Sequence, residues 1–293
     1  MDVLWIILET ALPVFAIIGL GYLYAGHRKL PAAELSDLLF WVLIPCLVLA
    51  SIGSKPLDLK ELARIGAAAL AVVGGCGLVG LVVFAGSRLR RAALLPTMFM
   101  NSANMAFPLA LLAFGNEGLA RQLMFYIAIN LTHVTAGIWI ARGRGGWKEA
   151  FRLPLVYTAA LAIALAASGT VLPEAVAEPL DLVGKATIPL MLLLLGGRLR
   201  TAELGQLGPA LLASAVRLGA GFGFGVLAVW LFGLTGPARA AVLLGAVMPA
   251  AVFNFILSEK YDREPEFVAS AVVISTLLSF ATTPLALWYI TAG

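Results

Sequence analysis

The chain has 293 residues, of which 61% are hydrophobic and 12% are charged; its mean hydropathy is +0.98 and its formal net charge is +4. A soluble domain carries about 25% charged residues, so this composition excludes the soluble globular classes and predicts an integral membrane protein. Apolar runs of roughly 20 residues, long enough to cross a bilayer as helices, follow one another with short polar gaps. These runs do not alternate polar and apolar residues as barrel strands do, so the predicted fold class is all-α.

Ten transmembrane helices are predicted, and the gaps between them leave no room for a separate soluble domain. In chain order the spans cover residues 3–25, 35–53, 62–86, 92–114, 119–141, 153–171, 175–196, 208–233, 237–257 and 267–290. The first span follows the acidic Asp2 rather than a basic region, so we expect a mature helix and not a cleaved signal peptide.

Most of the 20 Lys and Arg residues fall in the gaps after odd-numbered spans. Short loops rich in these residues stay on the cytoplasmic side of a membrane. The chain is therefore predicted to be a multi-pass protein of the cell inner (plasma) membrane, with both termini on the non-cytoplasmic side. The net positive charge follows from this distribution and suggests no nucleic-acid partner.

The second and seventh spans share a sequence pattern that indicates an internal repeat. The segment "SDLLFWVLIPCLVLASIG" at 36–53 matches "LDLVGKATIPLMLLLLGG" at 180–197, an offset of 144 residues. At the same offset glycines of the third and eighth spans align: Gly75 with Gly219, and Gly77 with Gly221. The predicted domains are a first five-helix repeat at 1–141, a short cytoplasmic linker at 142–152 and a second repeat at 153–293. Five is an odd number of spans, so the second repeat must be inverted, as in many secondary transporters.

The fourth and ninth spans each carry a proline and amides inside an apolar run. The fourth contains "MNSANMAFP" at 100–108, and the ninth contains "GAVMPAAVFNFILSEKY" at 245–261. If both helices unwind and cross there, their exposed N–H groups carry about half an elementary charge per helix and could bind a carboxylate. The alternative is a kinked packing helix whose side-chain amides bond to neighbouring helices.

The candidate substrate-binding residues come from these two segments and from two other spans. On the broken helices they are Asn101, Asn104, Pro108, Pro249 and Asn254, with Ser102, Ala106 and Met248 as further crossover positions. Arg217 lies in the middle of the eighth span, where an anion-attracting role and a structural or snorkelling role are both open. Asn130 and His133 are one turn apart in the fifth span and either line the site or form packing hydrogen bonds.

No cofactor, metal or catalytic centre is predicted. The two histidines and two cysteines cannot form a Cys/His metal cluster, and no nucleophile–base pair or phosphate-binding loop is present, so we do not expect an enzyme. Few carboxylates lie inside the spans. Coupling to Na⁺ or H⁺ is therefore unsupported, although backbone carbonyls at the crossing could bind sodium.

The fourth-span segment "NSANMAFPLALLAFGNEGL" resembles the fourth-helix signature of the auxin efflux carrier family, which includes the plant PIN proteins and many bacterial permeases. The ninth-span segment "PAAVFNFILSEKY" is similar to the ninth-helix segment of that family. Residues 142–152 form only a short connection where the long plant carriers have a large loop. Bacterial members of the family have a similarly short connection. The resemblance implies the bile-acid symporter/PIN-like fold, in which helices 4 and 9 cross at the substrate site. It further implies a scaffold of helices 1, 2, 6 and 7 and a moving transport unit of helices 3–5 and 8–10.

The resemblance also assigns roles to individual positions. Asn101 falls on the substrate-contacting Asn of the family, Pro108 on the Pro that follows it, and Pro249 on the first ninth-helix Pro. Three positions depart from the pattern, because Met100, Ala106 and Asn254 replace a Pro, a Gly and a Pro. For this reason the substrate is not identified as auxin.

The sequence thus predicts a secondary transporter, in the efflux direction, of a small organic anion such as a carboxylate. The expected mechanism is elevator-type alternating access, in a homodimer formed through helices 2 and 7 in the lipid bilayer. A sodium-coupled organic-anion symporter is the first alternative. A membrane sensor module that uses the same pocket is the second.

Overall fold

The computed structural model describes residues 7–53, 58–143, 148, 151–170 and 172–292. Most of the predicted linker, at 144–147 and 149–150, lies outside the described residues. Those that are described form helices and connecting turns, with a single isolated β-bridge and no strand. The all-α membrane fold class is confirmed, and within the described ranges seven helices are long and apolar enough to cross a membrane.

The first half of the chain forms five passes, labelled α1 to α5. The bounds are α1 (a π-helical turn Ile7–Ala11 that continues as Leu12–His27), α2 (Ala32–Leu38, Leu39–Leu43 and Ile44–Ile52), α3 (Leu59–Val83), α4a (Arg90–Met98), α4b (106–114) and α5 (116–142). The fourth pass consists of two half-helices separated by a non-helical segment at 99–105, extended at its start and turned at 102–105.

The second half repeats this order as α6 to α10. The bounds are α6 (Pro154–Ser168), α7 (Glu174–Lys185 and Thr187–Thr201), α8 (Leu207–Leu231), α9a (Gly236–Ala246), α9b (Val252–Lys260) and α10 (Pro265–Ala292). The ninth pass is broken at 247–251, at the position corresponding to the break in the fourth. At 1.5 Å per residue, each half-helix extends about 14–17 Å, roughly half of a ~30 Å hydrocarbon core.

A single glycine joins the fourth pass to the fifth. Gly115 has φ of 65° and ψ of −163°, although the helix around it is otherwise continuous from Ala106 to Thr132. Residues with a side chain rarely adopt this backbone conformation. A Cβ atom at Gly115 would meet no other atom within 4 Å, so the backbone angle and not crowding requires glycine here.

The packing of the helices is preserved when the two halves are exchanged. Helix α1 packs on α7 as α6 packs on α2, α3 packs on α5 as α8 packs on α10, and α3 and α8 pack on each other. This pattern is the one expected of an inverted five-helix repeat. The Asp181–Lys185 ion pair at the start of α7 is present and exposed.

The register of the repeat differs between helix pairs. Helices α3 and α8 both contain 25 residues and begin at Leu59 and Leu207, so their offset is 148 and not the 144 that aligns α2 with α7. Gly77 accordingly faces Met98, the last residue of α4a, as Gly225 faces Ala246, the last residue of α9a. The predicted alignment of Gly77 with Gly221 was therefore wrong by one helical turn, because α7 continues further past its Ile-Pro pair, to Thr201, than α2 does, which ends at Ile52.

Helices α1 and α7 touch backbone to backbone. A Cβ atom added at Gly196 would lie 2.0 Å from the Ile18 carbonyl oxygen, and one added at Gly21 would lie 2.1 Å from the Leu193 carbonyl oxygen. Small residues that permit such contact are the usual means of associating helices in lipid, where apolar burial alone gives no driving force between them.

We expect Gly196→Ala to destabilise the folded protein by roughly 1–3 kcal/mol, the usual cost of overpacking, because the new methyl group overlaps the α1 backbone. The matched control is Gly19→Ala on α1, whose Cβ would meet nothing within 4 Å. Melting temperatures of the purified proteins in detergent measure the difference. A Gly196→Ala variant as stable as Gly19→Ala would contradict the close contact.

Candidate functional site

The two broken passes cross at a pair of backbone hydrogen bonds. The Asn101 amide donates to the Pro249 carbonyl oxygen at 2.7 Å, and the Ala251 amide donates to the Phe99 carbonyl oxygen at 3.0 Å. Residues Met100 and Ala250 thereby form an antiparallel bridge. Non-helical backbone at membrane depth needs internal hydrogen-bond partners, and each break supplies them to the other. The crossing of broken helices 4 and 9 is confirmed.

The asparagines of the two breaks complete this arrangement. The Asn101 Oδ1 accepts a hydrogen bond from the Asn104 amide at 3.1 Å. The Asn254 Nδ2 donates to the Phe99 carbonyl oxygen at 2.9 Å, which also accepts from Ala251. The amides that look out of place in the apolar sequence thus bind backbone groups released by unwinding.

Helices next to the crossing provide two further bonds. The Ser275 hydroxyl of α10 accepts from the Ala250 amide at 3.0 Å. The Gln122 Nε2 of α5 donates to the Ser102 carbonyl oxygen at 3.3 Å. Both breaks are therefore held from the side by α5 and α10, the fifth helix of each repeat.

Both prolines lie at positions where the absence of a backbone N–H leaves no hydrogen bond unmade. Pro108 is the third residue of α4b, within the first turn, where backbone N–H groups have no intrahelical partner. Pro249 lies in the second break and uses only its carbonyl oxygen. Ala106 and Met248 are fully buried at the same crossing. These four residues shape the crossing but are not among those that line the cavity described next.

A cavity of about 140 Å³ lies against the crossing, between the first break, α5 and α9b on one side and α2, α6 and α7 on the other. Its wall is mostly apolar. The polar residues that line it are Ser36, Asn101, Ser102, Asn104, Tyr126, Asn130, His133 and Arg198. Of the predicted candidates, Asn101, Ser102, Asn104, Asn130 and His133 are therefore brought together, from the first break and α5.

Two of these side chains hold polar atoms that are buried and have no hydrogen-bond partner among the described residues. They are the Nδ2 of Asn101 and the Oδ1 of Asn130, whereas the His133 ring interacts with the Asn254 side chain. Asn101 and His133 are each only 4% exposed. An unpaired buried polar group costs about 1–3 kcal/mol, so such atoms around one cavity indicate a place where a polar ligand completes the bonding.

The wall around His133 is ordered by aromatic contacts. Its ring stacks on Phe99 with centroids 4.2 Å apart and an interplanar angle of 5°. The edge of Phe253 meets the same ring at 4.9 Å. The Nδ2 of Asn130, one turn before His133, donates to the Tyr126 hydroxyl at 3.1 Å. These contacts fix the imidazole ring and the amide at the cavity surface.

Sequence reasoning missed Arg198. It lies in α7, which continues to Thr201, five residues beyond the predicted end of the seventh span, so the residue was assigned to a gap. Its guanidinium lies 3.5 Å from the Ser36 hydroxyl across the cavity wall. Tyr126 was missed as well, although its position one turn before Asn130 could have indicated it.

Arg217 does not line the cavity. Its Nη1 donates to the carbonyl oxygens of Thr97 at 2.9 Å and Met98 at 3.1 Å, and its Nη2 donates to the Ala246 carbonyl oxygen at 2.8 Å. The side chain is fully buried. It therefore contacts the C-terminal ends of both α4a and α9a, behind the crossing.

Comparison with known proteins identifies the family. A family model described as membrane transport protein matches residues 143–289. The chain belongs to this family. The family is auxin efflux carrier-like, so the resemblance seen in the fourth and ninth helices is confirmed. Its members are transporters and not enzymes.

Three relatives match along nearly the whole chain. An uncharacterized transporter of Methanocaldococcus jannaschii is 24% identical, with 98% of this chain and 97% of the relative covered. An uncharacterized transporter of Methanothermobacter thermautotrophicus is 26% identical, with 94% and 96% covered. A Rhizobium meliloti protein named "Putative malonate transporter" is 26% identical, with 96% and 95% covered.

We expect Asn254→Ala to loosen the crossing, because the Phe99 carbonyl oxygen loses one of its two donors. A hydrogen bond of this kind contributes about 0.5–1.5 kcal/mol, so hydrogen exchange at the Asn101 and Ala251 amides should accelerate severalfold. The control is Asn130→Ala, whose amide bonds only to Tyr126 in the structure. Equal exchange at both amides in the two variants would show that Asn254 does not support the bridge.

Proposed function

We propose that this transporter moves a small organic anion, most simply a carboxylate, through the cavity at the crossing of α4 and α9. The observation that carries the proposal is the Asn101 side chain, which lines the cavity beside the starts of two half-helices and whose buried Nδ2 has no partner among the described residues. A carboxylate oxygen is an acceptor that satisfies such a donor.

The charge of the surroundings favours an anion. Helices α4b and α9b begin at the crossing, and neither start has a side-chain cap in the described part of the chain. Uncapped first turns present N–H donors and a partial positive charge. The Arg198 guanidinium adds a positive charge at the same cavity, where it also interacts with the Glu259 carboxylate. Rotation of the Asn130 amide can present a donor as well, while its oxygen accepts from the Tyr126 hydroxyl.

The size of the cavity favours a very small substrate. A protein cavity of roughly 150 Å³ holds benzene, a ligand of six heavy atoms, and this cavity measures about 140 Å³. Carboxylates of three or four carbons match that volume, whereas an indole carboxylate is about twice as large. Malonate, the compound in the name of the Rhizobium relative, is in the favoured size class.

The cavity adjoins the starts of α2 and α6 and the end of α7. These ends border the gaps after odd-numbered helices, which are rich in Lys and Arg and are assigned to the cytoplasm by the positive-inside rule. We therefore propose an inward-facing state in an inner membrane, with both termini outside. Efflux of an anion then runs with an inside-negative potential, which contributes about 2.3 kcal/mol per charge per 100 mV.

Alternating access of the elevator type agrees with the packing. Helices α1, α2, α6 and α7 pack mainly on one another, as do α3–α5 and α8–α10. Ring contacts between the two groups are apolar, with Phe15 and Phe280 at 4.1 Å and Phe40 and Phe253 at 6.5 Å between centroids. Apolar contacts are not directional, so little free energy is lost when one set of helices slides along the other. The homodimer through α2 and α7 stays a prediction.

We expect malonate to raise the melting temperature of the purified protein, whereas its neutral analogue malonamide and the larger indole-3-acetate do not. Asn101→Ala should abolish the malonate shift and stay folded, because both hydrogen bonds of the bridge are made by backbone groups that alanine keeps. A well-folded Asn101→Ala variant with unchanged malonate affinity would contradict a binding site at the crossing.

Arg198→Gln should weaken malonate binding about fivefold, as expected for a partly exposed charge worth about 1 kcal/mol, and leave malonamide unaffected. The matched control is Arg200→Gln. Arg200 lies two residues further along α7. It is exposed, and its guanidinium stacks over the Tyr22 ring, away from the cavity. Equal affinities of the two variants for malonate, measured by calorimetry, would remove Arg198 from the site.

A further inference from the structure

We infer that Arg217 acts as a built-in cation at the crossing, occupying the position where a carrier of this architecture would otherwise hold a monovalent metal ion. The crossing is then formed without sodium, and sodium cannot bind at the helix-end carbonyl groups that Arg217 occupies. This inference concerns the ligand-free protein and is independent of the proposed substrate.

The C-terminal ends of α4a and α9a create a negative electrostatic potential at the crossing. Helix α4a ends at Met98 and α9a ends at Ala246, and the C-terminal end of a helix carries a partial charge of about −0.5. The crossing brings both ends together, with carbonyl oxygens of Thr97, Met98 and Ala246 directed at one point. The Arg217 guanidinium lies at that point, 2.8–3.1 Å from all three oxygens.

The charge of the Arg217 guanidinium is completely buried. Arg217 is 0% exposed, and among the residues that the structure describes no carboxylate forms an ion pair with it. A buried charge without compensation is very unfavourable. The carbonyl oxygens of the two helix ends are what compensates it, and they converge only while the two passes cross. The charge therefore stabilises the crossed arrangement specifically.

A glycine on α8 leaves space for the Arg217 guanidinium. Gly221 lies one turn after Arg217 on α8, and a Cβ atom there would be 2.1 Å from the Arg217 Nη2 and 2.2 Å from the Ala246 carbonyl oxygen. The absence of a side chain lets α8 approach α9a closely. At the offset of 148 the residue equivalent to Arg217 is Ala69, which is fully buried. One guanidinium thus serves both helix ends.

Unwound carbonyls and half-helix C-terminal ends are also the groups that bind Na⁺ in secondary transporters with broken helices. A sodium ion and the guanidinium cannot share these three oxygens, because they need the same space and repel each other. The carbonyl site that would support a sodium-coupled symporter is therefore already filled by the protein's own side chain.

The test measures the melting temperature of the full-length, ligand-free protein in sodium chloride and in choline chloride at equal ionic strength. The wild type should melt at the same temperature in both salts. Arg217→Ala should melt lower than the wild type in choline chloride and recover several degrees in sodium chloride or with ~20 mM guanidinium, since either ion can enter the vacated position. A sodium-selective shift of the wild type would overturn the inference, as would an Arg217→Ala variant that neither ion stabilises.

Two further comparisons keep the test decisive if Arg217→Ala does not fold. Arg217→Lys retains the charge and should melt higher than Arg217→Gln, which removes it; the reverse order would show that charge is not what matters. Gly221→Ala should lower the melting temperature by displacing the guanidinium, whereas Gly223→Ala, whose Cβ would meet nothing within 4 Å, should not. Equal stability of these two alanine variants would also overturn the inference. Because no substrate is present, a failure of malonate to bind leaves these results unaffected.

Discussion

Backbone groups in the interior of a membrane must find partners within the protein, and the two hydrogen bonds between Asn101 and Pro249 and between Phe99 and Ala251 meet this requirement at the crossing. The rest of the structure depends on them. They allow two passes to stop being helical part-way along, which places the starts of α4b and α9b at the crossing and the ends of α4a and α9a at Arg217. Without the bridge, the protein would enclose neither the cavity nor the position of the Arg217 guanidinium.

The two halves share an architecture but divide the work unequally. The first break covers 99–105 and contributes Asn101, Ser102 and Asn104 to the cavity, while the second covers 247–251 and is shorter. Asn254, just after the second break, spends its amide on the Phe99 carbonyl. The first crossing segment therefore lines the cavity with polar side chains, and the second supports it through hydrogen bonds to the Phe99 carbonyl oxygen.

The sequence predicts the parts of this structure that depend on local pattern. Apolar length predicts the passes, and proline with asparagine inside an apolar run marks both breaks, including the cavity residue Asn101. What it does not predict depends on tertiary distance. The partners of Arg217 are backbone carbonyls about 30 and 120 residues away, and no periodicity reports them. Arg198 was missed because charged residues at a helix end look the same whether they face water or a cavity.

Phe99 belongs to both parts of the site at once. Its ring lies flat against His133, which lines the cavity, and its carbonyl oxygen receives the hydrogen bonds of Ala251 and Asn254. Phe99 thus joins the aromatic wall of the cavity to the backbone hydrogen bonds of the crossing through a single residue.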